Sequence, residues 1–200
     1  MANRQQLSIL KQGMLPWNEW RKKNPDVRPD LQEAALTGVD LRGANLAEAN
    51  LAGAELNAAD LQEANLLGAA LAEANLQGAR LRKADLGFAD LTFAHLDNAN
   101  LTGARLWKAD LTAAKLSGAD LSGANLTMAL LRETDFTGAN LADATLSRDF
   151  SESLRTLARI ARFIIADLSL HKSISQELRA ILPGTAVAVQ PLLNGKGQPK

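Results

Sequence analysis

From Leu31 onward an apolar side chain recurs at every fifth position, through Leu36, Leu41 and Leu46 to Leu146. Of these 24 positions, 23 are Leu and one is Phe136. Two residues ahead of each stands a small residue, nearly always Ala; the exceptions are Pro29, Val39 and Thr134. The residue between is usually Asp or Asn, as at Asp40, Asn45, Asn50 and Asp60. The unit reads A-[D/N]-L-x-x, with Gly frequent in the last place.

A period of five fits neither regular element. A helix turns about 100° per residue, so five residues leave a net rotation of about 140° and the leucines scatter around the cylinder. A flat strand sends successive leucines to opposite faces. A chain that turns a corner every five residues keeps each Leu inside. Four corners close a square coil of about 20 residues, and stacked coils lie about 4.8 Å apart, joined by parallel backbone hydrogen bonds. Ala and Leu then fill a narrow interior that admits nothing larger than Leu or Phe. Asp, Asn, Thr, Ser, Arg and Glu point outward.

The unit A-[D/N]-L-x-x resembles that of the pentapeptide-repeat family, over residues 30–148. The stretch W-N-E-W-R-K-K-N-P-D-V-R-P-D-L, Trp17 to Leu31, is similar to the lead-in of many bacterial members. The resemblance implies an all-β solenoid, a right-handed quadrilateral β-helix. Its 24 units would make about six coils and a rod about 29 Å long. The repeat encodes a scaffold, so the resemblance is specific for fold and poor for function. Some members of the family imitate duplex DNA and bind type II topoisomerases, gyrase among them.

Composition narrows the picture. The 200 residues include 36 Leu and 36 Ala, and the hydrophobic share of 46% excludes wholesale disorder. There is no Cys, so disulfides and thiolate metal sites are excluded. Net charge is zero, which gives no bulk attraction to nucleic acid or membrane. The charge is unevenly placed. Residues 30–148 hold 16 acidic and 9 basic side chains, net −7, while the flanks carry +4 and +3. Duplex DNA bears one charge per about 1.7 Å, so a mimic about 29 Å long needs about 17 negative charges. The first reading is therefore a structural or protein-interaction scaffold; a topoisomerase-binding DNA mimic is the alternative.

The N-terminus lacks the apolar run of a secretory signal. The apolar stretch from Leu154 to Leu170 carries Arg155, Arg159, Arg162 and Asp167, which a membrane span rarely tolerates. A bacterial cytoplasmic protein is expected, with no membrane contact and no direct nucleic-acid binding.

No phosphate loop or H-E-x-x-H motif is present. His95 and His171 lie in different segments, and His95 shares an outward column with Asn75 and Lys115. The column Asp40, Asp60, Asp120 is interrupted by Arg80 and Asn100, and Asp in this place serves turns. A convex rod offers no deep pocket. No enzyme activity and no catalytic, cofactor or metal site is expected.

Residues twenty apart should stack on one face. Arg80 then meets Asp60, Lys83 meets Glu63, Arg105 meets Asp85 and Lys115 meets Asp135. Such pairs contribute about a few tenths of a kcal/mol each. Outward apolar residues follow one another along one side: Leu67, Phe88, Trp107 and Met128, with Lys108 among them. Phe93 lies across the next corner and Leu130 on the neighbouring face, while Gly87 leaves room for the indole of Trp107. A contiguous apolar patch on a soluble rod signals contact. Its occupant is the chain's own C-terminal segment, a second copy or a foreign protein.

An open β-helix exposes backbone at both ends, and the flanks should cover it. Residues 1–29 read as an N-terminal capping segment, with Leu7, Ile9 and Leu10 on a short helix and Trp17 and Trp20 over the first coil. Residues 149–184 read as a helical C-terminal cap supplied by Phe150, Leu154 and Leu157, followed by a loose tail, 185–200. A homodimer through the C-terminal helices is the self-association this arrangement permits.

Overall fold

The computed structural model describes residues 2–146. Its repeat region turns a corner at every fifth residue. Each Leu carbonyl accepts from the amide three residues on, as Ala34 N donates to Leu31 O at 3.1 Å. The residue two after each Leu has positive φ at all 23 corners from 33 to 143, and its predecessor does not. That combination defines a type II turn, whose third residue favours Gly. Gly fills nine of these places and a side chain fills fourteen.

The corners stack in register. Parallel bridges join residues twenty apart, from Asp30 with Asn50 to Asp120 with Asn140. At one place they lengthen into a pair of short strands, β1 (Asn125–Leu126) and β2 (Thr145–Leu146). Three hydrogen bonds recur at each step of the ladder. On the face of Leu81, its amide donates to Asn100 O at 2.7 Å and Arg80 N donates to Ala59 O at 2.9 Å; at the corner Lys83 N donates to Thr102 O at 3.0 Å. The backbone is thus satisfied between coils, which frees the interior for apolar side chains alone.

Every repeat Leu from Leu31 to Leu126 is buried, as are the Ala residues two places before Leu from Ala44 to Ala124. Phe136 takes a Leu place and is 1% exposed. Thr134 takes an Ala place and is buried, its hydroxyl donating to Leu111 O at 2.8 Å. The outward Asp and Asn brace the turns. Asp90 accepts from Thr92 N, Asn100 from Thr102 N and Asp110 from Thr112 N, at 2.9–3.0 Å. A short side-chain acceptor one residue before the Leu is what this contact requires.

Two helices precede the repeats: α1 (Arg4–Leu10) and α2 (Met14–Lys23). The first begins where the Asn3 side chain accepts from Gln5 N and Gln6 N. The second was not apparent from hydrophobic spacing. Its signals are Pro16 in the first turn and Arg21, Lys22 and Lys23 in the last.

These helices lie against the first coil and meet its backbone edge group by group. Asn3 N donates to Asp30 O and Gln6 Oε1 accepts from Asp30 N. Trp17 Nε1 donates to Asn45 O at 2.8 Å, and Asn18 both accepts from Asn45 N and donates to Gly43 O. Arg21 reaches Val27 O and Ala47 O, and Arg28 reaches Glu48 O. Burial pushes the Arg21 guanidinium down, and the Glu48 carboxylate offsets part of that. The expected cap residues Phe150, Leu154 and Leu157, and the segments of the expected homodimer, lie outside the described residues.

Candidate interaction surface

The corner that follows the column Leu46, Leu66, Leu86, Leu106 and Leu126 carries two outward positions per coil. The first runs Leu67, Gly87, Trp107, Thr127; the second runs Gly68, Phe88, Lys108, Met128. Backbone bonds tie these rows together: Gly68 N donates to Gly87 O, Phe88 N to Trp107 O and Lys108 N to Thr127 O, at 2.8–3.0 Å. The side chains therefore climb the rod one coil at a time.

Phe88 and Trp107 pack edge to face with centroids 4.3 Å apart, an arrangement worth about 1 kcal/mol beyond area. Lys108 Nζ lies 5.1 Å from the Phe88 centroid, over the ring face. The indole rests on Gly87, which is buried beneath it. Phe88 stays 50% exposed and Met128 58%, and Leu67 also faces solvent. Phe93, on the next corner, and Leu130, on the face between the two corners, are exposed as well. All seven residues singled out by the sequence thus lie on two adjacent corners and the face between. The positive φ of Phe88, Phe93, Lys108 and Met128 is that of every corner and marks the fold, not the site.

Elsewhere on the repeat rod the outward side chains are mostly polar, while Met14, Leu15 and Val27 are exposed in the segment before it. Arg80 meets Asp60 and Arg105 meets Asp85 at 3.4 Å, as twenty-residue stacking predicts. Lys83 and Lys115 make no ion pair among the described residues. Arg42 forms a contact that stacking does not foresee, clasping Asp40 in its own coil at 2.6 Å and reaching Asp60 at 4.0 Å. Hydrogen bonds from the Arg42 guanidinium and amide pull the Asp40 carboxyl down to about 2. Asp135 is lowered by the Thr137 hydroxyl and amide and by Ser117. Partial burial would raise Asp120, but bonds from Ser122, Thr102 and Asn140 outweigh it and hold that carboxyl low.

His95 sits between Asn75 and Lys115 on an outward column. Among the described residues no group of three or more His, Cys, Asp or Glu is placed to hold a metal ion. Among them, too, no helix is long and apolar enough to cross a membrane.

The profile for pentapeptide repeats matches eight copies, over residues 30–68, 49–87, 79–118, 89–127 and 114–148. The chain belongs to the pentapeptide-repeat family, and its solenoid is the right-handed quadrilateral β-helix of that family. Solved structures similar to it include the pentapeptide-repeat protein Rfr23 from the cyanobacterium Cyanothece 51142, 34% identical, over 56% of this chain and 65% of that one, with a TM-score of 0.42. This chain therefore spans just under two thirds of Rfr23. HetL of Nostoc sp. strain PCC 7120, involved in heterocyst differentiation regulation, is 38% identical over 62% of this chain and 74% of its own, TM-score 0.30. QnrB1, a plasmid-mediated fluoroquinolone resistance protein, is 20% identical over 69% and 87%, TM-score 0.25. No protein of curated function matches the sequence.

Proposed function

We propose that this protein is a non-enzymatic interaction scaffold, a rigid rod of about six coils whose contact face is the Phe88–Trp107 corner. One observation carries the reading. An aromatic pair topped by a lysine, with Leu67 and Met128 below and above it, is exposed on a rod whose other corners carry mostly Gly, Ala, Glu and Thr. Aromatic and Met-rich patches of this kind favour protein contact. The family consists generally of non-enzymatic structural or binding proteins, which supports the same reading. The α1–α2 segment acts as the cap of the first coil.

Imitation of duplex DNA is the alternative, and the charge pattern weighs against it. The repeats carry net −7, against the roughly 17 negative charges that a rod of about 29 Å would need. Within that net charge, Arg42, Arg80 and Arg105 sit directly on Asp40, Asp60 and Asp85, so positive groups interrupt the acidic columns.

Two assays separate these readings. In a gyrase supercoiling assay the protein is expected to leave the enzyme unaffected; stoichiometric inhibition would establish the mimic. In affinity recovery from a cell extract, a protein retained by the wild type is expected to be lost with Phe88→Asp and kept with Gln77→Ala. Identical retention by both variants would remove the corner from the account.

A further inference from the structure

We propose that the first occupant of the Phe88–Trp107 corner is the chain's own segment 157–168, laid down the rod from its upper end, so that a foreign partner binds by displacing it. The proposal rests on the reading of this corner as a contact surface.

The exit point is the first support. Leu146 pairs with Leu126 and so continues the column of Leu86 and Leu106. The chain leaves the described rod at the head of the apolar stripe.

Pattern and length are the second. Leu157, Ala161, Ile164 and Leu168 recur at i, i+4, i+7 and i+11, the spacing of one helical stripe. Twelve helical residues span about 18 Å, and the three rungs from Leu67 to Met128 span about 14 Å. The linker from 146 to 157 reaches about 3.3 Å per residue, ample to bring the segment alongside.

Charge is the third. Residues 149–200 are net +3 against −7 for the repeats.

The chain has no cysteine, so engineered pairs report alone. In the full chain, Met128→Cys with Leu157→Cys, and Leu67→Cys with Leu168→Cys, are expected to close within one molecule at least about tenfold faster than the crossed pair Met128→Cys with Leu168→Cys. Equal rates, or no closure in the two matched pairs, would overturn the proposal. Closure only between molecules would overturn it too and give the corner to a second copy. A second readout needs no cysteine. Acrylamide should quench Trp107 less in the wild type than in Leu157→Asp/Ile164→Asp, since Trp17 is buried and Trp20 stacks on it. Equal quenching would contradict the cover. A foreign protein captured at Phe88 with quenching unchanged would keep the scaffold reading and remove only the proposal.

Discussion

Gly87 and Trp107 stand on successive coils of one corner, and the indole occupies the space a side chain at Gly87 would need. A Cβ added there would lie 2.8 Å from Cε2 of Trp107 and closer still to Nε1. Gly87 lies outside the positive-φ set, so the conflict is steric and not conformational. Gly87→Ala should therefore lift the indole from the rod. Trp107 emission should shift to the red, with a stability loss of about 1–3 kcal/mol. An unchanged spectrum would show that the indole is not seated on Gly87.

The interior is sized for alanine and leucine. Ala84 is fully buried. Ala84→Leu should overpack it and cost about 1–3 kcal/mol, while the outward Gln77→Ala should be nearly silent. A thermal melt with equal effects would overturn the assignment of inside and outside.

Much of this was legible in the sequence because a five-residue period has one geometric solution. The Leu and Ala columns, the twenty-residue register and the stacking of Arg80 on Asp60 and of Arg105 on Asp85 follow from counting. The room at Gly87 followed from the same count. Helix α2 was missed because only Trp17 and Trp20 meet the core from it: Asn18, Arg21 and the indole N–H of Trp17 serve backbone groups of the first coil, and two apolar positions leave no hydrophobic period. The clasp of Arg42 on Asp40 was missed because it closes within one coil, where stacking rules do not look.

The corners carry a conformational load. Ala113 holds φ 56° in a place that favours Gly, and an L-residue there costs about 1 kcal/mol. Ala113→Gly should stabilise the rod by roughly 0.5 kcal/mol, after the entropy that Gly loses on folding. Gly103→Ala, at φ 65°, should destabilise it by about 1 kcal/mol. Melts in which both changes act in the same direction would contradict the type II assignment.

Acid should loosen the rod in a defined window. Asp40 falls from 3.8 to about 2 in the folded chain, and Asp120 and Asp135 are lowered as well. Carboxyls depressed by folding stabilise it fully above their unfolded value, and that contribution fades as pH falls through the folded value. The melting temperature should hold from pH 7 to about 4 and decline toward pH 2. Asp135→Asn, which removes one such carboxyl, should flatten the decline. A decline as steep as in the wild type would show that Asp135 does not contribute to it.

The claim that the Phe88–Trp107 corner is the contact face is tested most directly by photo-crosslinking from single sites. A photoreactive residue placed at Phe88, and separately at Gln77 on another corner, reports what each touches in the full-length protein in cell extract. Position 88 is expected to give one defined product, within the chain or with a partner, and position 77 none. The same products from both positions, or none from position 88, would contradict the account.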